Sequence, residues 1–412
     1  METPRALDMI KMGSITHYRV SLPGFTVAIT MQSTTIKSER GESVQVSIGI
    51  VARNEEAGIG AMLRSLFEQS VFEELDRRGW KCEILCVANG CTDQTAAVAA
   101  AIFDMQMSQN SYHAAFRARV VELTERGKIN AWNQFVHVLS AKEARFLFLM
   151  DSDILIHRRE TLWNMLRALE EDAQAHIAVD RPCKHMQFKS RKSLWDRLSL
   201  AAARLTSSAE GQLCGQLYCI RAHIARHIYL PKDLSACEDG FIKALVCTDF
   251  LTHAVEPQRI RLAEGAEHTF EAYASPAAIV KNQKRQIMGQ TIVHILVDGF
   301  LKSRPPTERA RLAGVLEEKD RTDPAWLKRL IHQHIRHTRF WWRLYPEMNG
   351  LGFKRLGRLK LRERLACLPA AVAGSMLTLV SGLLAFEALK AGSTDYWPQA
   401  RRRGFQRIHS KL

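Results

Sequence analysis

Between residues 44 and 151, short β-branched apolar runs alternate with amphipathic helical patterns, and this alternation constrains the fold more than any other feature. Val44–Ala52 (VQVSIGIVA) has the length and composition of a strand. A helical pattern follows from about Ile59 to Leu75, with Met62, Leu63, Leu66 and Phe67 on one face. Glu83–Ala88 (EILCVA) predicts a second strand, closed by the turn pair Asn89-Gly90. A helix is expected over Thr95–Met107, a strand over Arg119–Leu123 and a helix over about Asn130–Ser140. A fourth strand, Phe146–Met150, stops at Asp151. Alternation of this kind predicts βαβ units and an α/β domain on a mostly parallel sheet.

Ligands of such sheets lie at the carboxyl ends of the strands. The polar clusters fall there: Arg53-Asn54-Glu55 after the first strand, Asn89 to Asp93 after the second, Asp151-Ser152-Asp153 after the fourth. Asp151 and Asp153 follow a buried run and would repel each other if left alone. A hard divalent cation, Mg²⁺ or Mn²⁺, resolves that, because it takes one or two carboxylates plus substrate phosphates. A solvated turn with Asp153 capping the next helix is the plainer alternative. Glu238-Asp239, in Ala236-Cys237-Glu238-Asp239-Gly240-Phe241-Ile242, leads into an apolar run. One of the pair could act as general base toward an acceptor hydroxyl, or Asp239 could simply cap a helix. Upstream, Gly211 to Gln216 is a glycine-flexed stretch where a substrate could approach the backbone.

Charge divides the chain. Residues 281–412 hold 26 Lys and Arg against 10 Asp and Glu, whereas the first 280 hold 32 against 33, so the net +15 resides in the last third. A basic region on a neutral body suggests a polyanionic partner, either anionic lipid or nucleic acid, or else a solvated helical face. Leu365–Phe386 is 22 residues without a formal charge, about 33 Å as a helix and enough for a bilayer core of roughly 30 Å. Basic residues flank it on both sides (Lys354 to Arg364 and Arg401 to Arg407), which suits a re-entrant or interfacial segment better than a simple span; a buried hairpin is the alternative. Trp341-Trp342, with Tyr345, Arg339 and Arg343, suits a membrane interface or packing on the main domain. The nine Cys form no CxxC pair, so neither a zinc site nor a disulfide framework is expected. Leu22–Met31 is broken by Pro23 and Gly24, and no secretory signal is expected. His223 with His227, and His332, His334 and His337, read as helical surface groups. Residues 1–43 are expected to form a mobile tail.

Five segments, VSIGIVARNEE, VANGCTDQT, GKINAWN, LFLMDSD and CEDGF, stand in the order and approximate spacing of family 2 glycosyltransferases. Over about residues 44–285 the chain resembles that family, which implies the GT-A fold, a Rossmann-like nucleotide-diphospho-sugar transferase domain. The resemblance divides the chain into a tail (1–43), a GT-A domain (44–282) and a helical basic C-terminal region (283–412) containing the membrane segment at about 365–386. It also implies roles. Asn54 and Glu55 would line the nucleotide pocket, Asp93 would bond the base, and Lys128 and Asn130 would form the diphosphate or base wall. Asp151 would contact ribose or metal, and Asp153 would ligate Mg²⁺ or Mn²⁺. Asp239 would be the catalytic base, with Glu238 positioning the acceptor. His268, in AEHTF, reads first as a polar loop histidine and alternatively as a ligand near the diphosphate.

Processive members carry QxxRW after the acidic pair. Gln283-Lys284-Arg285-Gln286-Ile287 has its Arg one position early and lacks the Trp, although Arg285 can still serve the diphosphate. The reading is therefore a non-processive, inverting, metal-dependent transferase. It would move a sugar to an acceptor hydroxyl on a lipid-linked or membrane-bound acceptor in envelope glycoconjugate or polysaccharide synthesis. Its partners would be a nucleotide-sugar donor and an anionic membrane surface, with the catalytic domain on the cytoplasmic face (the inner membrane, if bacterial). Two rivals remain. A nucleotidyltransferase would show a glycine-rich basic loop where Arg53-Asn54-Glu55-Glu56 stands. A nucleic-acid-binding protein would use the basic region and bind with steep salt dependence; no recognition motif supports it, and no nucleic acid is expected as a partner.

Overall fold

The computed structural model describes residues 7–12, 15–22, 25–32, 43–189, 191–192, 196, 200, 211–234, 237–272, 275–338 and 361–392. The strands are β1 Leu7–Met12, β2 Ile15–Leu22, β3 Phe25–Gln32, β4 Val44–Ala52, β5 Lys81–Asn89, β6 Phe116–Leu123, β7 Phe146–Asp151, β8 Ile154–Ile156, β9 Ile177–Lys184, β10 Leu217–Arg221 and β11 Ile260–Phe270. The helices are α1 Ile59–Phe67, α2 Val71–Arg77, α3 Thr95–Gln109, α4 Lys128–Gln134, α5 Thr161–Glu171, α6 Ala222–Ala225 and α7 Glu238–Cys247. They continue with α8 Pro276–Leu296, α9 Pro306–Arg309, α10 Leu312–Thr322, α11 Trp326–His337 and α12 Leu361–Lys390.

Among these residues the strands form one sheet in the order β1-β2-β3-β6-β5-β4-β7-β10-β9-β11-β8. The centre, β6-β5-β4-β7, is parallel, as is β9 with β11; β10 and β8 run against their neighbours. From β4 through β11 this is the mostly parallel α/β sheet expected from the sequence. The chain winds outward from β4 to β5 and β6, then returns to the other side as β7. The switch point is thus between β4 and β7, where the fold leaves a crevice at the strand ends.

Both faces are covered, which explains why the central strands are apolar throughout rather than alternating. Phe146, Phe148 and Met150 pack with α1, α3 and α5 on one side, and Leu147 and Leu149 face α4, α7 and α8 on the other. Gly49 is required at one contact: a Cβ there would lie 2.7 Å from the Phe135 ring, which closes on the sheet. Trp132 Nε1 donates to Tyr218 Oη at 2.6 Å, joining α4 to β10 within the core.

Several elements differ from expectation. The helix foreseen over Ile59–Leu75 is two, because the Ser70 amide bonds Arg159 O (2.8 Å) and Gln69 Nε2 bonds Arg158 O (3.0 Å), drawing the chain out between them. The segment expected as a tail holds β1–β3, which extend the sheet where β3 pairs with β6 (Ile29↔Leu123, Thr30↔Glu122). The boundary expected at 282/283 falls inside α8, which Ser275 caps through the Ala278 amide (3.2 Å) and Pro276 starts. Residues of α8, α10, α11 and α12 share one core with the sheet. The uncharged stretch 365–386 lies within α12, and among the described residues no helix is long and apolar enough to cross a membrane. Trp341, Trp342, Tyr345 and the basic flanks 354–360 and 401–407 lie outside the described residues.

Candidate active site

Two groups of side chains meet at the carboxyl end of the central strands. The first joins the loops after β4 and β5. Asn54, at φ 52°, holds the left-handed conformation that Asn tolerates better than most residues. Its amide group bonds Thr92 twice: Nδ2 donates to Oγ1 (3.1 Å) and Oδ1 accepts from the Thr92 amide (2.8 Å). Asp93 accepts from the Thr95 amide (3.1 Å) and from the Glu56 amide (3.2 Å). The Glu55 amide donates to Thr95 Oγ1 (2.7 Å), and Glu55 O receives the first amides of α1 (2.8 and 2.9 Å). Asn54, Glu55 and Asp93 thus form one rigid wall. Asn130 Nδ2 donates to Glu125 O (3.0 Å), in the loop after β6.

The second group is acidic around one lysine. Lys128, the first residue of α4, places Nζ 2.7 Å from Asp151 Oδ1, 2.7 Å from Glu238 Oε1 and 3.2 Å from Gly215 O. Asp151 ends β7, where it pairs with Val51 and donates its amide to Gln216 O (2.9 Å). Glu238 and Asp239 open α7, behind Cys237 at φ 60°. They are first-turn residues, and the cap position belongs to Cys237 rather than Asp239. Carboxylates in a first turn also lie in the favourable field of the helix N-terminus.

Burial and mutual repulsion set the proton affinities. Burial opposes the charge on Lys128, but Asp151 and Glu238 outweigh it and hold its pKa well above the usual value. Burial pushes Asp151 up to about 7 despite Lys128, and the charges of Asp153 and Glu238 add to the push. Burial and the Glu238 charge push Asp239 up to about 6, against the Gly240 and Gly215 amides, which favour its carboxylate. Glu238 is buried as well, yet Lys128 and Arg285 bring it below its ordinary value. Arg285, on α8, also bonds Asn282 Oδ1 (3.3 Å).

Asp151 and Glu238 thus share Lys128, and the Arg285 charge also acts on Glu238. Carboxylates crowded at a strand end fit a divalent cation, since the Asp153 charge raises the pKa of Asp151 and a metal would remove that conflict. Among the described residues no three His, Cys, Asp or Glu converge as a ready-made metal cage. Mg²⁺ and Mn²⁺ sites completed by substrate phosphates need fewer protein ligands.

Three features were not foreseen. Gly215 lets the acid pair approach the backbone: a Cβ there would stand 3.2 Å from Glu238 Oε1 and 3.3 Å from Asp239 Cβ. His268 is not a loop residue; it is fully buried on β11, with Nδ1 2.7 Å from Asp180 Oδ2 and Nε2 3.4 Å from Gln216 Oε1. Asp180 orients that ring, and Gln216 links it to Asp151, whose amide bonds Gln216 O (2.9 Å). Cys237 takes a conformation that costs a non-glycine residue energy, directly before the acid pair. Only the glycine-flexed stretch 211–216 had signalled any of this. His223 and His227 lie on α6 and the turn after it, joined by His227 Nδ1 and His223 O (2.7 Å).

The family description Glycosyl transferase family 2 matches residues 47–215. No curated protein sequence matches the chain. Among solved structures, S. aureus TarS 1-349 is similar at 15% identity over 85% of this chain and 88% of that one, with a TM-score of 0.41. The same TarS fragment in complex with UDP-GlcNAc gives 17%, 85%, 89% and 0.37 in turn. Glucosyl-3-phosphoglycerate synthase from Mycobacterium tuberculosis, in complex with Mn²⁺, UDP-glucose and phosphoglyceric acid, gives 14%, 59%, 78% and 0.38.

Proposed function

We propose, on the premise that residues 47–215 form a glycosyl transferase family 2 domain, that the chain is an inverting, metal-dependent, non-processive transferase. It would use a nucleotide-diphospho-sugar donor and a lipid-linked or membrane-bound acceptor. The observation that carries this reading is Lys128, whose one ammonium joins the strand-end acid Asp151 to the helix-start acid Glu238. Donor-side and acceptor-side carboxylates thus lie within a single side chain's reach.

In this reading the nucleotide lies against the Asn54–Glu55–Asp93 wall. Asp153, with Asp151, would hold Mg²⁺ or Mn²⁺, which would supply positive charge to the leaving diphosphate. Lys128 and Arg285 contribute further positive charge on the diphosphate side. Glu238 orients the acceptor. Asp239, poised at about 6, takes the proton from the acceptor hydroxyl as that oxygen attacks the anomeric carbon. The bond from that carbon to the diphosphate oxygen breaks, its electron pair leaves with the nucleotide, and one displacement inverts the centre. The departure of Gln283–Ile287 from QxxRW favours a single transfer. Nucleotide sugars are cytoplasmic, so the domain belongs on that side of a membrane.

Thermal stability against nucleotide diphosphates and their sugars, with and without Mn²⁺ or Mg²⁺, tests this. A ligand at about 100 times its Kd adds roughly 2.7 kcal/mol. The expected result is a metal-dependent gain that Asp153→Ala abolishes. A gain of equal size without metal overturns the metal assignment, and no gain under any condition, including anionic vesicles, overturns the donor reading.

A further inference from the structure

The two sides of α12 have opposite surroundings. Ser381, Ala385 and Leu389 are buried, with Ala385 and Leu389 joining the core that α8 and α11 also build. Ser381 Oγ donates to Val280 O (3.4 Å) and Gln283 Oε1 (3.3 Å) on α8. The other side carries Val372, Met376, Leu379, Val380, Leu383 and Leu384, each between 44% and 62% exposed. Steps of three and four residues place them in one stripe along the helix. Contiguous exposed apolar surface of this kind marks an interaction site.

Charge indicates what covers the stripe. On α11, which packs beside α12, His332 and Arg336 are exposed, as are Lys328 and Arg329, which pair with Asp233 (3.2 Å) and Asp323, while Trp326, Leu327, Ile331 and Ile335 are buried. Arg364 and Lys390 are exposed near the ends of α12 itself. The sequence between the two helices, 339–360, adds six Lys and Arg against one Glu. Two copies of this face would bring like charges together, whereas an anionic lipid surface complements both its net positive charge and the stripe.

We infer that α12 is an in-plane anchor, with its apolar stripe in an anionic lipid surface and its other side on the catalytic unit. A spanning helix would have lipid around it; α12 instead has Ser381 bonded to α8 and Ala385 and Leu389 in the core. The anchor is coupled to the site through α8: Gln283 bonds Ser381, and Gln286 O accepts from Cys237 Sγ (3.4 Å), the residue before Glu238-Asp239. The acid pair is thereby held at a fixed height over the lipid. That this height serves an acceptor carried in the same lipid rests on the function proposed above.

Flotation of the full chain with vesicles of phosphatidylcholine, alone or mixed with phosphatidylglycerol, tests the anchor. Two to three cations reaching the surface, at about 1 kcal/mol each, predict roughly 100-fold tighter binding to the anionic vesicles. The double variant Leu379→Glu, Leu383→Glu loses that binding, and Leu379→Met, Leu383→Met keeps it, both with parental circular dichroism melts. Undiminished flotation of the Glu variant overturns the anchor. So does a parent that ignores vesicles and forms a dimer the Glu variant breaks, and so does retention on vesicles through an alkaline carbonate wash, the mark of a spanning helix. If flotation behaves as expected while no nucleotide stabilises the chain, the anchor stands and the transferase reading fails.

Discussion

Replacing Lys128 by Met removes one ammonium from between two carboxylates. Its Nζ lies 2.7 Å from each, and the side chains of Lys128, Asp151 and Glu238 are 11%, 16% and 11% exposed. Orphaning one partner of a buried pair costs about 3–5 kcal/mol. Their residual exposure draws the cost toward the low end, so the expected loss is about 3 kcal/mol above about pH 7, where both carboxylates are charged. With an unfolding entropy of roughly 2.1 cal/mol/K per residue over 412 residues, that is roughly 3–4 °C in Tm. The pH dependence has a definite sign. Lys128 holds the Glu238 pKa below its ordinary value, so its contribution is present above the ordinary carboxylate pKa and is lost as pH falls through the folded value. The gap between parent and variant is therefore widest above about pH 7, where both carboxylates are charged, and narrows as first Asp151 and then Glu238 protonates. Lys128→Met with Glu238→Gln should recover about half of the loss, because one orphaned charge disappears. Thermal and urea melts followed by circular dichroism, without divalent cations, provide the measurement. A loss below about 1 kcal/mol, the range of a screened surface pair, refutes the argument; so does a gap that fails to narrow in acid.

Asp239→Asn is expected to lower kcat by about 10³-fold while leaving nucleotide stabilisation intact, read by initial rates beside thermal shifts. In the parent, kcat/KM should rise with pH through about 6, as the Asp239 carboxylate forms, and the Asn variant should lack that limb. Gly215→Ala places a methyl 3.2 Å from Glu238 Oε1 and 3.3 Å from Asp239 Cβ; a stability loss of about 1–3 kcal/mol by urea melt, with a lower kcat, is expected. Trp132→Phe leaves the buried Tyr218 hydroxyl without its 2.6 Å donor, at a cost of about 1–3 kcal/mol in the same assay.

Much of the sheet was legible because its signals are local. Phe146–Met150 is apolar at every position, as a strand covered on both faces must be, and it stops at the acid that lies in the crevice. Val44–Ala52 and the turn Asn89-Gly90 announced themselves in the same way. The break between α1 and α2 was not legible, since it arises from bonds to Arg158 and Arg159, some ninety residues further on. Strands β1–β3 were missed because their place is conferred by the edge of β6 rather than by their own apolar content. His268 was misread for a related reason: a polar residue in a polar-looking sequence is buried only because Asp180, on the neighbouring strand, satisfies it.

By itself the sequence determined the order and type of the central elements, the acids at their ends and the charge asymmetry between the two parts of the chain. These follow from periodicity and composition, which act within a few residues. The tertiary structure alone decided which acids share a lysine, that Gly215 gives the pair room, and which side of α12 is left bare. A stretch of 22 uncharged residues has no intrinsic inner and outer face. Only the packing of Ser381, Ala385 and Leu389 against α8 and the core assigns one, because contact between distant segments is set by how the whole core closes and not by the local period of either.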